Sequence, residues 1–307
     1  MINYSIIIPH YNIPDLLGRC IKSIPEREDV QVIVVDDNSP GGDDYMSTIP
    51  ELSRKGVEFY VCKDGKGAGH VRNIGLQHAV GKWLIFADSD DFFVEGFSDI
   101  LDQYINDSHD IIFFNIRSCD CYDTNKLYPS KKDKLFSEYQ SSGNDMVFRV
   151  GGTEPWGKII RHELVSENII TFQETKGHND LLFSVMTGIK ARSIAIVNRP
   201  MYWYVFREGS LGHQKGIEPT AKIKDRILAY KTTQDFLNSE GVQLRMYIPT
   251  IPIIRVLKKR IKMFPTLMQL SKEVGCSNTR IVWNIMVYSL RKFFTGKSGL
   301  GLDDQLL

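Results

Sequence analysis

The sequence predicts an α/β fold: a doubly wound, mostly parallel sheet followed by a helical C-terminal extension. Over residues 1–115, short runs of β-branched and aromatic residues alternate with segments of helical period, the pattern of a βαβ series. The strand-like runs are apolar on both faces, as in parallel strands covered by helices. The 307 residues are 42% hydrophobic and 24% charged, which is typical of a globular protein, and the length suits either one large domain or one domain with an appendage.

Five strands and four helices support this prediction in chain order. The strands are predicted at residues 5–9, 30–36, 57–62, 82–88 and 110–116. The helices between them are predicted at residues 14–24, 43–55, 68–80 and 95–106. In doubly wound sheets, ligands bind beyond the carboxyl ends of the strands. The polar residues that follow each strand are therefore the candidate site residues.

The first two strands end in short polar segments. The first ends in PHYN (residues 9–12) and the second in VDDNS (residues 35–39). Asp36, Asp37 and Ser39 can form an Asx-type turn with a helix cap, which is the commonest use of such residues. An aspartate at this edge can instead accept hydrogen bonds from a nucleotide base or a ribose. The residues alone leave both interpretations open.

The third strand is followed by a glycine-rich loop, DGKGAGHVRNIGL at residues 64–76. Its glycines allow a ligand to approach the backbone closely, and Lys66 and Arg72 carry charges that can meet a diphosphate. The glycine spacing is neither the dinucleotide-binding fingerprint nor the Walker loop, and the loop follows the third strand rather than the first. Alone, the loop is a weak indication of phosphate binding.

The fourth strand runs into three carboxylates, in WLIFADSDDFF at residues 83–93. Asp88, Asp90 and Asp91 repel one another, strongly so in a partly desolvated cleft, and a cation is therefore expected beside them. Mg²⁺ and Mn²⁺ typically bind one or two carboxylates, while diphosphate oxygens and water complete the coordination shell. A capped, solvated turn is the alternative.

Four motifs, SIIIPHYN, VIVVDDNS, GAGHVRNIGL and FADSDDFF, follow one another between residues 5 and 93. Together they resemble the nucleotide-binding half of the family 2 inverting glycosyltransferases of bacterial polysaccharide synthesis, which have the GT-A fold. The resemblance implies a nucleoside-diphosphate-sugar donor, often UDP-linked, and a divalent cofactor, Mn²⁺ or Mg²⁺. It places Asp37 at the base, Asp88 near the ribose or the metal, and Asp90 on the metal. The implied donor-binding residues are Pro9, Tyr11, Asn12, Asp37, Lys66, Arg72, Asp88 and Ser89.

Two stretches of the second half concern the acceptor. EPWGKIIRHEL (residues 154–164) resembles the family's W-x-K segment and implies an acceptor-binding role for Trp156, although a core position is equally compatible. GHNDLLFSVMTG (residues 177–188) has apolar residues at helical spacing after an Asn-Asp pair, which is a good helix start. Many family members have Glu-Asp there, with the aspartate as general base, and this implies that role for Asp180. Asn179 replaces the usual acid and is assigned to acceptor binding.

A third stretch, YWYVFREGSLGH at residues 202–213, resembles the aromatic strand and R-x-G-S loop that closes over the diphosphate. The resemblance implies that Arg207 offsets charge on the leaving UDP and that His213 reaches the metal. A solvated surface position is the alternative for each of these side chains.

The predicted function is that of an inverting, metal-dependent hexosyltransferase. Direct displacement at an anomeric carbon needs a base for the acceptor hydroxyl and stabilisation of the leaving diphosphate. The implied acceptor is a saccharide, which the resemblance allows to be lipid-linked, in cell-surface polysaccharide synthesis. A sugar-phosphate nucleotidyltransferase is one alternative, although its glycine-rich loop usually follows the first strand. A non-catalytic nucleotide-sugar or glycan-binding module is the other, and Asn179 gives it some support.

The predicted organisation is a donor-binding half (1–115), an acceptor-binding half (116–243) and a basic helical extension (244–307). From Leu244 to Gly299 the chain has eleven Lys or Arg residues and one acid, Glu273. Apolar and aromatic residues mixed with cations are expected of helices on an anionic membrane surface. Packing on the body with solvated charges is the alternative. No nucleic-acid recognition motif accompanies the cations.

The five cysteines are scattered and lack C-x-x-C spacing, which indicates neither a disulfide framework nor a zinc site and favours a reducing compartment. The start of the sequence lacks the pattern of a signal peptide, and no apolar run approaches the ~18 residues needed to span a bilayer. The expected location is cytoplasmic, either free or peripheral at the inner face of the cell membrane.

Overall fold

The structure, a computed structural model, describes residues 1–41, 48–130, 132–175, 177–207, 220–244, 264–277 and 279. The chain forms two compact units. Unit 1 comprises Met1–Thr175 and Phe183–Glu208, and unit 2 comprises Lys176–Leu182 and Gly209–Leu307. The predicted functional halves, residues 1–115 and 116–243, remain predictions.

One mixed sheet forms the centre of unit 1. Its strands are β1 (Tyr4–His10), β2 (Val30–Asp36), β3 (Val57–Val61), β4 (Trp83–Phe86), β5 (Phe92–Phe93), β6 (Ile111–Asp120), β7 (Leu127–Tyr128), β8 (Lys158–Arg161) and β9 (Ile194–Phe206). Within the described residues, their order is β3-β2-β1-β4-β8-β6-β9-β5, and β7 pairs with β6.

The described residues form nine α-helices, three of which lie where helices were predicted, at 14–24, 68–80 and 95–106. They are α1 (Pro14–Lys22), α2 (Ala68–His78), α3 (Phe97–Tyr104), α4 (Asp133–Ser142), α5 (Met146–Gly151), α6 (His162–Glu167), α7 (Leu181–Lys190), α8 (Thr220–Ser239) and α9 (Phe264–Glu273). The helix predicted at 43–55 is present only as a 3₁₀ turn, Pro50–Ser53, and residues 42–47 lie outside the described part of the chain. None of the described helices is both long enough and apolar enough to cross a membrane.

The first four predicted strands are confirmed in position and direction. β1 pairs in parallel with both β2 and β4, and β2 pairs in parallel with β3. Their carboxyl ends therefore meet at one edge of the sheet. Every residue of β1 and β2 is buried. Polar side chains of these strands can thus meet a ligand only at the strand ends.

The fifth predicted strand, β6, does not lie beside β4. The short strand β8 lies between them and is antiparallel to both. No strand was predicted at β8, because a four-residue run is too short to show a period and its partners are distant in the chain. β5, β7 and β8 run against their neighbours while the remaining strands are parallel, and the predicted fold class is confirmed.

A close approach fixes α2 against β1. A Cβ atom added at Gly75 would lie 2.5 Å from Cγ2 of Ile7, which is closer than packed carbon atoms tolerate. Gly75 therefore lets the helix lie directly on the strand. This contact determines where the N-terminal turn of α2 stands relative to the strand ends.

Only part of the basic extension is described: Leu244, residues 264–277 and Thr279. Within unit 2, Lys224 of α8 forms an ion pair with Glu273 of α9, with 2.8 Å between Nζ and Oε2. The residues on which the membrane-surface prediction chiefly rests, 245–263 and 280–299, lie outside the described residues.

Candidate active site

Three carboxylates occupy a tight turn at the end of β4. The turn closes through a 3.0 Å hydrogen bond from the Asp91 backbone N–H to the Asp88 carbonyl. The Asp88 N–H donates to the hydroxyl of Tyr202 at 2.8 Å, and that tyrosine is fully buried in β9. The buried hydroxyl thus fixes the turn to a neighbouring part of the same sheet.

Each carboxylate has a distinct partner. Asp88 Oδ1 lies 2.5 Å from Nη2 of Arg72, and Asp90 Oδ2 lies 3.3 Å from Nη2 of Arg207. Asp91 Oδ1 accepts a 2.7 Å hydrogen bond from the backbone N–H of Val205. The positive charge that the sequence required beside these acids is therefore supplied in part by two arginines, neither of which the sequence assigned to the carboxylates.

Burial and the neighbouring negative charges disfavour the ionised forms of Asp90 and Asp91. Burial is the main cause that raises the pKa of Asp91 well above its usual range, and the charges of Asp90 and Asp88 add to it. Burial also raises the pKa of Asp90, and Asp88 adds to this while Arg207 opposes it. Carboxylate oxygens are the donors that a hard divalent cation prefers, so the chemistry of Asp88 and Asp90 fits Mg²⁺ or Mn²⁺.

At the end of β2, the two neighbouring aspartates have different environments. Asp36 accepts hydrogen bonds from the hydroxyl and the backbone N–H of Ser39, at 2.5 and 2.7 Å. This is the Asx-type turn considered from the sequence. Asp37 instead points toward the glycine loop, where its Oδ2 accepts a 2.9 Å hydrogen bond from the Gly67 N–H. Burial raises the pKa of Asp37.

The loops after β1 and β2 are connected to each other. The Asp37 N–H donates to the carbonyl of His10 at 2.8 Å, and the Asn12 N–H donates to the hydroxyl of Ser39 at 2.7 Å. Asn12 and Asn38 adopt positive φ values of 50° and 63°, which asparagine tolerates better than most residues. The structure therefore connects the two loops that carry Asn12 and Asp37, and their contact with a donor remains a prediction.

The two cations predicted to meet a diphosphate have different positions. Arg72 lies on α2, is 5% exposed and faces Asp88. Lys66 lies in the glycine loop, where its half-exposed ammonium pairs with Asp64 at 2.9 Å. Within the described residues, only Arg72 of this pair contacts the acidic turn.

The remaining predicted donor residues lie at the same strand ends. Pro9 is buried in β1 opposite Val35 of β2. Ser89 is 6% exposed, whereas the side chain of Tyr11 is 56% exposed. The aromatic ring of Tyr11 is therefore accessible to a ligand.

Trp156 lies in the core of unit 1 and is 4% exposed. Its ring stacks on Tyr202 at 5.6 Å, and the Lys132 ammonium lies 5.4 Å from its centroid. Trp156 is therefore a core residue in this structure, which was one of its two predicted roles. Direct contact with an acceptor remains a prediction.

Asn179 and Asp180 belong to unit 2 and directly precede α7. His178, the residue before them, has a φ of 57°, and its Nε2 accepts a 2.9 Å hydrogen bond from Nε of Arg226. Burial, and then the charge of Arg226, lowers the pKa of His178 to about 4. His178 is therefore neutral near pH 7. The predicted metal ligand His213 lies outside the described residues.

Two further residues of the site were missed by the sequence analysis. Arg19 of α1 donates from Nη2 to the carbonyl of Asp90 at 2.7 Å, and its guanidinium lies 4.9 Å from the ring centroid of Phe92. Tyr202, described above, was predicted only as part of an aromatic strand. No local pattern marks either residue, because their partners lie 71 and 114 positions away.

The sequence of this chain is similar to those of known proteins. The model of the family described as glycosyl transferase family 2 matches residues 5–163. EpsH of Bacillus subtilis is 23% identical over 269 residues, covering 84% of this chain and 76% of that protein. The poly(ribitol-phosphate) beta-N-acetylglucosaminyltransferase TarS of Staphylococcus aureus is 27% identical over 219 residues, covering 68% of this chain and 36% of that protein.

A solved structure has the same fold. The crystal structure of residues 1–349 of S. aureus TarS in complex with UDP-GlcNAc aligns with a TM-score of 0.65 at 19% identity, covering 89% of this chain and 80% of that one. The alignment confirms the expected fold, while the family model, which matches more than half of the chain, decides membership. The chain belongs to glycosyl transferase family 2 and is a glycosyltransferase.

Proposed function

We propose that this glycosyltransferase is metal-dependent and inverting, and that it transfers a hexose-type sugar from a UDP-linked donor to a hydroxyl of a saccharide. The observation that carries the proposal is the turn at residues 88–91, where three carboxylates stand at a strand end with Arg72 and Arg207 paired to two of them. This is the charge pattern suited to a diphosphate with its cation.

The relatives support a donor of this kind. TarS is named as an N-acetylglucosaminyltransferase and has been solved with UDP-GlcNAc and with UDP. A Campylobacter jejuni relative, 33% identical over 36% of this chain, is named as a beta-1,3-glucosyltransferase acting on an undecaprenol-linked saccharide. These names make cell-surface polysaccharide synthesis, with a polymeric or lipid-linked acceptor, the expected setting.

Residues around the strand ends would hold the donor. Asp37 would accept hydrogen bonds from the base, with Pro9, Tyr11 and Asn12 lining the same end of the sheet. Arg72 and Lys66 would meet the diphosphate through charge-assisted hydrogen bonds. Ser89 would contribute its hydroxyl beside them.

Asp88 and Asp90 would hold Mn²⁺ or Mg²⁺, with His213 as a further candidate ligand. When bound, the cation would neutralise charge on the diphosphate of the donor. Arg207 would add a second positive charge as the glycosidic bond breaks. Its pairing with Asp90 keeps the guanidinium at the turn.

Asp180 would take the proton from the acceptor hydroxyl. With a single base and direct displacement, the anomeric configuration of the sugar inverts. Asn179, in place of the acid found in many relatives, would donate and accept hydrogen bonds with the acceptor. An acceptor-side role for Trp156 would act through the packing around it, since the ring is buried.

The test is UDP release from a panel of UDP-sugars with and without Mn²⁺, using the wild type, Asp90→Asn and the control Asp99→Asn. Asp99 is an exposed acid on α3, outside the acidic turn. We expect Mn²⁺-dependent release in the wild type and the control and its loss in Asp90→Asn. Undiminished Mn²⁺-dependent release in Asp90→Asn would refute the proposed metal site.

Three other measurements separate the remaining functions. An α-linked donor should give a β-linked product by NMR, and retention of configuration would contradict inversion. Pyrophosphate production from UTP and a sugar-1-phosphate would indicate a nucleotidyltransferase. UDP-sugar binding without release of UDP in the presence of any acceptor or water would indicate a binding module.

A further inference from the structure

Three side chains of different chemistry converge beside the glycine-rich loop, away from the acidic turn. Cys62 directly follows β3, Asp64 lies in the loop, and His70 lies in the first turn of α2. Their sulfur, carboxylate and imidazole ligand atoms all lie within 4.8 Å of one another. Asp64 Oδ2 and His70 Nε2 are 3.7 Å apart.

These separations match those of a small metal site. In a tetrahedral zinc site, bonds of about 2.0–2.3 Å place neighbouring ligand atoms about 3.3–3.7 Å apart. The Asp64–His70 pair already has this spacing, and the sulfur needs to move by only about an ångström.

The chemistry of the donor set differs from that of the acidic turn. A thiolate and an imidazole are ligands for Zn²⁺ and similar ions, whereas Mg²⁺ and Mn²⁺ favour oxygen. With three protein ligands, a fourth position is left for water. Cys62 and His70 therefore favour Zn²⁺ and similar ions, whereas Mg²⁺ or Mn²⁺ is proposed for Asp88 and Asp90.

A fourth residue orients the histidine, and this observation is independent of the ligand distances. Glu174 Oε1 lies 2.8 Å from Nδ1 of His70, on the side of the ring opposite to Asp64. A carboxylate on one imidazole nitrogen, with the other nitrogen directed at the ligands, is the usual outer shell of a metal-bound histidine.

Backbone contacts hold the participating segments in place. The Cys62 N–H donates to the Asp36 carbonyl at 2.8 Å, which anchors the thiol beside β2. Asn73 of α2 pairs with both the carbonyl and the N–H of Phe172, at 3.0 and 2.8 Å, and thereby fixes the segment that carries Glu174. Cys62, Asp64 and His70 are close in sequence, Glu174 reaches them from a distant segment, and the arrangement is accessible from solvent through Asp64.

We propose that Cys62, Asp64 and His70, with Glu174 behind the histidine, form a binding site for a Zn²⁺-class ion, distinct from the acidic turn. Lys66 now pairs with Asp64, but solvent screening makes an exposed pair of this kind weak, so an ion can displace it. The bound ion links β3 to α2 across the loop that presents Gly67 to Asp37. Its occupancy therefore stabilises that loop.

The test titrates Co²⁺ and Zn²⁺ into the purified, metal-free full chain without any nucleotide. We expect one equivalent of Co²⁺ with a thiolate-to-metal charge-transfer band, and Zn²⁺ should displace it while excess Mg²⁺ should not. Cys62→Ser should lose the band, whereas Cys121→Ser, at a half-buried cysteine outside the cluster, should keep it. Glu174→Gln should weaken Zn²⁺ binding by about tenfold or more.

The absence of a thiolate band in the wild type would overturn the proposal, as would an unchanged band in Cys62→Ser. Each variant is first compared with the wild type in its metal-free melting temperature. If Cys62→Ser does not fold, the wild-type spectrum and the Glu174→Gln affinity decide the question, and equal affinity in Glu174→Gln would contradict the proposed outer shell. Failure here leaves the glycosyl-transfer proposal untouched, since no donor or acceptor is present.

Discussion

Acidification should destabilise the donor side of the sheet through His10. This residue ends β1 between the predicted donor residues Pro9 and Tyr11, and it is 2% exposed. Burial lowers its pKa from 6.5 to about 4, and Asp36, whose Oδ1 lies 3.9 Å from Nε2, only partly opposes this. The folded chain therefore holds His10 neutral under conditions in which the unfolded chain protonates it.

The sign and size of the effect follow from linkage. Because the folded pKa is depressed, the contribution of His10 to stability is complete above pH 6.5 and is lost as the pH falls toward 4. The shift to about 4 corresponds to about 3 kcal/mol in total, of which about 2 kcal/mol is lost by pH 5. Such a loss is a large part of the stability of an ordinary domain.

The assay is urea unfolding at pH 7 and pH 5, followed by tryptophan fluorescence, since Trp83, Trp156 and Trp203 all lie in unit 1. The wild type should lose about 2 kcal/mol more between these pH values than His10→Gln, whose amide does not titrate. His109→Gln, which replaces a partly exposed ring, is the matched histidine control. Equal losses in the wild type and His10→Gln would refute the reasoning.

Asp180→Asn should lower the transfer rate by roughly two or more orders of magnitude and leave UDP affinity nearly unchanged; loss of UDP binding in calorimetry would instead mean a donor contact. Gly75→Ala should cost about 1–3 kcal/mol in urea unfolding, because its Cβ would meet Ile7. A change below about 0.5 kcal/mol would contradict the packing argument. The full chain should sediment with anionic vesicles more than a chain truncated after Gly241, at about 1 kcal/mol per cation at the surface. Equal partitioning would exclude membrane attachment through the extension.

The sequence was most informative where the evidence is local. β1 to β4 were predicted because each is a short apolar run followed by polar residues. β1, β2 and β4 are buried along their whole length as expected, whereas β3, at the edge of the sheet, is only partly buried. β8 was not predicted, because its four residues become a strand only through pairing with β4 and β6. The sequence could not decide which of the two aspartates forms the Asx-type turn and which faces the glycine loop, because Asp36 and Asp37 are adjacent and chemically identical.

The acidic turn marks the limit of what local patterns can establish. Its carboxylates are close in the chain, so their repulsion could be predicted from the sequence. Their compensation comes from Arg72, Arg19 and Arg207, which contact residues 16, 71 and 117 positions away. Only the folded sheet brings these guanidiniums to one strand end.

That compensation has a consequence for the proposed metal site. The side chains of Asp90 and Arg207 are 22% and 29% exposed, and their 3.3 Å contact is longer than that of the buried Arg72 with Asp88. Solvent screening weakens the more exposed pair, so Arg207 is the guanidinium that a competing cation displaces from its carboxylate most readily. An Arg207 released in this way keeps its charge beside the turn, where a diphosphate can accept its hydrogen bonds. Ion binding at Asp90 and donor binding at Arg207 should therefore favour each other.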